Sequence, residues 1–210
     1  MSFKIEKIIL FTNSACPLGR TMKDVLNDIE KLFPSIHVNK VFIDQDPSTT
    51  NRFGINKNPT TLFLNREERE LTRVEGFKET SEIIKLIEHG NFEKHLLVNH
   101  SDNPIINEEK YTIFLIKEQK LQPVEIIYEN PTNVSTPRIT AVNMLLTTER
   151  AGYVNPFSRD SKLNLIEFEG CLAKVYLSDT ALMDEENNRN REACLLGTLQ
   201  LFGITKVKLL

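Results

Sequence analysis

Few residues in this sequence are of types that do covalent chemistry. The candidates are Cys16, Cys171 and Cys194, with four histidines, His37, His89, His95 and His100. Cys16 has the setting that chemistry needs. It lies in ILFTNSACPLGRTM, which runs from Ile9 to Met22. A strand-like run, Ile8 to Thr12, breaks into a short polar turn. Cys16 follows, then Pro17, then a helical pattern. A sulfur at a helix start meets unpaired N–H groups and the positive end of the macrodipole. Arg20, one turn later on the same helix, adds a cation. Both features favour a reactive thiol. A dithiol site would need a second cysteine three residues on, and Gly19 stands there. Intramolecular disulfide exchange is therefore ruled out, and a single-thiol route remains.

The other candidates carry weaker signals. Cys171 and Cys194 sit in apolar runs, where a free cysteine serves as a small hydrophobe. A disulfide between them is not expected in a reducing cell. The histidines lack metal-ligand spacing, so no metal is expected. Glu185 and Glu186 read as solvated residues of an acidic connection.

The elements that must position Cys16 follow from periodicity. KIILFT ends a strand of buried pattern. In CPLGRTMKDVLNDIEKLF, residues Leu18, Met22, Val25, Leu26, Ile29, Leu32 and Phe33 recur at steps of three and four. That spacing predicts an amphipathic helix of about four turns. Pro17 suits its first position and Pro34 closes it. HVNKVFID predicts a second strand. Asp46 and Pro47 predict the cap and first turn of a short helix. NPTTLFLN predicts a strand entered at Pro59, and ELTRVEG its hairpin partner near a sheet edge. KETSEIIKLIEHGN predicts a helix capped by Thr80 or Ser81 and ended by Gly90. FEKHLLVNH reads as one more short helix. The polar run after it, SDNPIINEE, reads as a linker.

The second half starts again with strands, KYTIFLIK and LQPVEIIYE. PRITAVNMLLTTER predicts a helix with Ile139, Val142, Leu145 and Leu146 inward. AGYVNPFSRDS is a long loop. KLNLIEFEGCLAKVYLS predicts a hairpin turning at Glu169-Gly170. REACLLGTLQLFG predicts a helix with Ala193, Leu196, Leu199 and Gln200 near one face, widened by Cys194, Leu195 and Leu201. TKVKLL predicts a last strand. The expected domains are residues 1–98 and 110–210, joined by a linker at 99–109.

Composition excludes several function classes. The 210 residues are 40% hydrophobic and 26% charged, with a net charge of -3. Residues 1–98 carry 14 basic and 14 acidic residues, and residues 99–210 carry 12 and 15, so neither half is hidden as a basic module. No nucleic-acid partner is expected. No run is long enough to span a bilayer, and Ile8 to Phe11 is too short for a signal-peptide core. Three cysteines at wide spacing argue for a reduced, cytoplasmic protein.

Phe11 to Arg20, NPTT at 58–61 and Gly76 together resemble the thioredoxin-like superfamily, over roughly residues 5–90. The resemblance implies an α/β fold in which Asn58–Pro59 is cis and lies beside Cys16. It implies that Asn58, Pro59 and Thr60 contact an extended peptide or thiol substrate, with Cys16 and Arg20 as the catalytic pair. Ala15 replaces the family's usual tryptophan and Gly19 its resolving cysteine. With one thiol, release would fall to glutathione or another low-molecular-weight thiol; no tightly held cofactor is implied. The Cys-x-x-Gly-Arg order also loosely resembles thioredoxin-fold arsenate reductases, but no arginine cluster is placed to hold an oxyanion.

PRITAVNMLLTTE, FEGCLAKVYLS and REACLLGTLQLFGITKVKLL, in that order, resemble the GerMN domain of sporulation and spore-germination proteins. The resemblance covers nearly all of residues 110–210 and implies a smaller, non-enzymatic α+β module. That family usually sits in exported lipoproteins, from which the expected lack of a signal departs. Two functions fit. One is a binding or scaffolding protein for a protein or peptide partner, tied to sporulation or germination. The other is a glutaredoxin-like monothiol oxidoreductase using Cys16.

Overall fold

A computed structural model of the chain describes residues 4–90, 106–178 and 185–210. The expected helix at FEKHLLVNH, most of the linker and the start of the acidic connection lie outside these residues. The chain divides into two compact units, each described by itself. The first comprises Met1–Asn107 with Asn130–Ser135, and the second Glu108–Glu129 with Thr136–Leu210. The first unit thus takes in a short segment from beyond residue 98.

The first unit runs β1 (Lys7–Thr12), α1 (Pro17–Leu32), β2 (His37–Phe42), α2 (Pro47–Arg52), β3 (Thr60–Leu64), β4 (Glu70–Glu75) and α3 (Thr80–His89). Its sheet has the order β2-β1-β3-β4. β1 and β2 are parallel, while β3 is antiparallel to both β1 and β4. The polar ELTRVE strand takes an edge, as its composition predicts. The central strands are apolar on both faces because both faces are covered. Ile8 and Leu10 pack with Met22, Leu26, Ile29, Phe63 and Ile83. Ile9 and Phe11, pointing the other way, pack with Ile43, Ile55, Leu62, Leu64 and Val134.

α1 buries Gly19, Met22, Val25, Leu26 and Ile29. Leu18 and Leu32, expected on that stripe, are 51% and 58% exposed. Leu32 falls on the margin of the stripe, while Leu18 shares its direction but lies in the first turn of the helix. Asp46 caps α2 as expected, accepting from the Thr49 N–H at 2.9 Å. The cap of α3 is Glu79 instead of Thr80 or Ser81. Its N–H donates to the Glu82 carboxylate at 3.1 Å, completing a reciprocal capping box.

The second unit continues with β5 (Asn107–Lys117), β6 (Lys120–Asn130), α4 (Pro137–Thr147), β7 (Leu163–Glu169), β8 (Leu172–Leu177), α5 (Glu185–Gln200) and β9 (Lys206–Leu209). β5 begins inside the expected linker. β5 and β6 form a two-stranded sheet, and β7, β8 and β9 a three-stranded one. The hairpin turn sits one residue later than expected, at Gly170 and Cys171, with Gly170 at φ +59. Glu185 and Glu186 open α5 instead of lying in a loop, and there they complement its macrodipole. α5 buries Arg191, Cys194, Leu195, Gly197, Thr198 and Leu199, while Ala193, Gln200 and Leu201 face solvent. Close packing sets that face: a Cβ on Gly197 would lie 2.8 Å from Phe114 Cγ and 2.9 Å from Leu121 Cδ2. The Thr198 hydroxyl oxygen accepts from the Phe114 N–H at 3.0 Å.

Candidate functional site

β1 delivers the chain to the site and α1 carries it away. Between them, Asn13 to Cys16 form a tight turn. The Cys16 N–H donates to the Asn13 carbonyl at 3.1 Å, and the Ala15 N–H to Asn13 Oδ1 at 3.1 Å. An asparagine after a strand makes such an Asx turn readily. Ser14 is held from the other side. Its N–H and hydroxyl donate to the two Asp44 carboxylate oxygens at 2.8 and 2.6 Å.

Cys16 is the N-cap of α1, in extended conformation, and its side chain makes no capping bond. Pro17 takes the first helical position, as expected. The Arg20 N–H donates to the Cys16 carbonyl at 3.2 Å, closing the first helical turn. The Arg20 side chain is exposed. Cys16 is 6% exposed, so any partner must approach closely or displace a neighbour.

Asn58–Pro59 is cis, as the sequence resemblance implies. β1 and β3 pair Phe11 with Thr60, and extending that register by one residue sets Pro59 opposite Thr12. The Asn58 side chain reaches the cysteine turn. Its Oδ1 accepts from the Asn13 N–H at 2.9 Å and lies 3.2 Å from the Thr12 hydroxyl. The cysteine turn is thereby tied to the segment before β3. The Pro59 carbonyl accepts from the Gly76 N–H at 2.8 Å, and Gly76 has φ +81. Thr60 is buried, and its hydroxyl donates to the Lys57 carbonyl at 2.8 Å. Its side chain therefore serves the turn before β3.

The place of the absent second thiol is filled. A Cβ built on Gly19 would lie 1.9 Å from Thr12 Oγ1, 2.7 Å from Thr12 Cβ and 3.0 Å from Thr12 Cγ2. Gly19 is needed because the Thr12 side chain occupies that space. Spacing along the chain gave no sign of Thr12, Asp44 or the side-chain role of Asn58. The Asn-x-x-Cys turn and the asparagine before Pro59 were the available signals.

Of the other two cysteines, Cys194 is buried as expected and Cys171 is not. All three are free. Cys171 is exposed, because the hairpin turn falls on it. Cys194 is buried, and burial pushes its thiol up to about 12. Among the described residues, no group of three His, Cys, Asp or Glu is placed to hold a metal. No described helix is long and apolar enough to cross a membrane. The second unit has an open cavity of about 720 Å³ beyond the end of α4, whose lining includes Tyr153, Arg150 and the ion-paired Glu149 and Arg159.

No family model matches the chain. The thioredoxin of Chlamydia caviae is 31% identical over 80 residues, which are 38% of this chain and 78% of that protein. Among solved structures, Fasciola hepatica thioredoxin is 19% identical with a TM-score of 0.38, covering 42% of this chain and 85% of its own. Thioredoxin 1 of Thermosipho africanus is 28% identical with a TM-score of 0.36, covering 39% and 90%.

Proposed function

Through its first unit the chain belongs to the thioredoxin family, and on that premise we propose that it is a single-thiol member acting by mixed-disulfide exchange at Cys16. The observation that carries this is the filled resolver position. Thr12 takes the space beside Gly19, while the turn around Cys16 stays fixed by Asn13, Asn58 and Asp44. The Cys16 thiolate attacks one sulfur of a partner disulfide. A sulfur–sulfur bond forms to Cys16, the partner's bond breaks, and its other half leaves as a thiolate. Position 19 offers no nucleophile to release the adduct. A low-molecular-weight thiol of the glutathione class then attacks as thiolate and takes over the partner's sulfur. Cys16 leaves as the thiolate. The net change is exchange of one disulfide for another. Asn58 and Pro59 line the approach, and Arg20 supplies an exposed cation one turn along α1. Three unpaired cysteines support a reducing, cytoplasmic setting.

The low exposure of Cys16 favours a second reading. In it the fold is a binding platform for a protein or peptide, with the Asn58–Pro59 backbone as its docking edge. The second unit would then be a GerMN-like scaffold linked to sporulation or germination. The sequence order of its helices and hairpin is what supports that assignment.

One experiment separates the two. The full chain carrying Cys171→Ser and Cys194→Ala is treated with glutathione disulfide and read by intact mass. Exchange predicts one adduct, on Cys16, that persists when the reagent is removed and is released by added thiol. A folded protein whose Cys16 stays unmodified supports the binding platform. In the unaltered chain, an alkylating agent should modify Cys171 first and Cys194 last.

A further inference from the structure

We infer that Arg20, Lys23 and Lys40 form a cationic shelf beside Cys16 that selects thiol and disulfide partners carrying carboxylates. The inference rests on Cys16 being a working thiol, and it names the chemistry of what that thiol meets.

The helix geometry places the first two cations. Arg20 and Lys23 are exposed and three residues apart on α1, so they are neighbours on its surface. Lys23 and Glu30, two turns apart, share one flank. Glu30 fixes where that flank lies, because its carboxylate accepts from the Val38 N–H of β2 at 3.3 Å. The flank bearing Lys23 therefore runs along β2. β1 and β2 are parallel, and the helix joining them runs back between them. Moving from Glu30 to Lys23 to Arg20 is thus moving along β2 from Val38 toward Phe42.

Lys40 meets them there. It is exposed on β2, and its Nζ stands 4.2 Å from the centroid of the Phe42 ring. Its ammonium is thereby aimed toward the end of β2 that pairs with Thr12. Cys16 follows Thr12 by one turn of chain. The charge state of Lys40 agrees with the placement. Partial burial holds its pKa below the usual lysine value, and Lys23 and then Arg20 push it further the same way. The anions near this end are Asp44 and Asp24. Asp44 already accepts two hydrogen bonds from Ser14. Asp24 follows Arg20 by one turn of helix. The chain as a whole carries a net charge of -3. Three cations stand against two carboxylates here, a surplus of positive charge able to act within a Debye length of about 10 Å.

A carboxylate-bearing disulfide would be drawn to this flank, and a cationic one repelled. Glutathione disulfide and an acidic protein disulfide share the attracting chemistry, so the test includes both kinds of source. Rates of adduct formation at Cys16 are measured in the full chain carrying Cys171→Ser and Cys194→Ala. The probes are glutathione disulfide, cystamine and an acidic peptide disulfide, with iodoacetate and iodoacetamide as a pair that needs no disulfide exchange. Each rate is normalised to the same reagent acting on free cysteine. The expected result is a preference of about tenfold for the anionic probes at low salt, shrinking at high salt. Lys23→Glu with Lys40→Glu should erase or invert it, with an unchanged circular dichroism spectrum. Glutathione disulfide favoured without the peptide would assign the shelf to small thiols, and both favoured would extend it to acidic proteins. Equal normalised rates, or a preference untouched by the charge reversal, would overturn the shelf while leaving exchange at Cys16 intact. A preference for iodoacetate with no reaction toward any disulfide would keep the shelf and sink the exchange reading. No modification of Cys16 by any probe would overturn both.

Discussion

Restoring the second cysteine at position 19 should fail unless Thr12 is changed too. A Cβ at Gly19 would sit 1.9 Å from Thr12 Oγ1, and rotating the threonine side chain could relieve that contact. Rotation cannot move the Thr12 Cβ, which is 2.7 Å away and fixed by the strand backbone. Carbon atoms rest at about 3.5–4.0 Å. β1 and α1 would have to separate by most of an ångström in a core where Thr12 is buried. Overpacking of this kind costs about 1–3 kcal/mol. Disturbing the hydroxyl near Asn58 adds about 1 kcal/mol. Gly19→Cys alone should therefore destabilise the first unit by about 2–4 kcal/mol, a fall in Tm of roughly 10–25 °C. Thr12→Ala keeps the offending Cβ and should rescue only partly. Thr12→Gly removes it, at about 1 kcal/mol for glycine in a strand. The pair Thr12→Gly with Gly19→Cys should be more stable than the sum of its parts by about 1–3 kcal/mol. It should also gain insulin-reducing activity that neither single change shows. Denaturant unfolding of the four variants and an insulin turbidity assay test this. If Gly19→Cys alone is as stable as the parent, or reduces insulin as well as the pair does, the role given to Thr12 is refuted.

Three further outcomes follow from the same geometry. Val134→Ala should cost about 1–3 kcal/mol, because Val134 is 4% exposed and packs on the Phe11 face of the first sheet; a loss within a few tenths, by urea unfolding, would show that the 130–135 segment is not part of that core. Asn58→Ala strips the acceptor from the Asn13 N–H, so the unit should lose about 1–3 kcal/mol and Cys16 should alkylate faster; unchanged amide exchange at Asn13 would argue otherwise. Asp46→Ala should cost about 1 kcal/mol at neutral pH through the cap of α2. The Thr49 N–H bond holds the Asp46 carboxyl below its ordinary 3.8. Its contribution is full above that value and is lost as pH falls through the lowered one. The Asp46→Ala deficit should therefore fade on acidification, while Asp46→Asn should stay close to the parent at neutral pH.

The features legible in the sequence are those written at fixed spacing. Apolar steps of three and four in α1, the Asp46–Pro47 cap and the asparagine before Pro59 are all local signals, and each element they predict is present. The second unit's order of strands and helices was also readable. What escaped depends on contacts between segments far apart in the chain. The buried face of α5 is chosen by the close approach of Phe114 and Leu121 to Gly197, so a small glycine and a bonded threonine are inside and Ala193 is outside. Cys171 has an apolar neighbourhood in sequence, yet a one-residue shift of the hairpin turn exposes it. Val134 sits between two prolines in a run that reads as loop. Its burial comes from packing on the Phe11 face of the first sheet, which is built from other elements.

The site argues the same point at shorter range. Loss of a resolving cysteine by itself would leave a void where its side chain had been, and cores do not hold such voids without cost. Here the neighbouring strand supplies the filling, through Thr12, and the filler's hydroxyl lies within 3.2 Å of Asn58 Oδ1. Asn58 in turn accepts from the Asn13 N–H, and Asn13 holds the turn that presents Cys16. The residue that excludes a second thiol and the residues that fix the first are therefore one connected set. A fold retained for its shape alone has no need of that connection, since any small side chain at position 12 would satisfy packing. A single sulfur that must keep one position while a partner arrives does need it. On the proposed exchange reading, Gly19 is half of the one-thiol site and Thr12 is the other half.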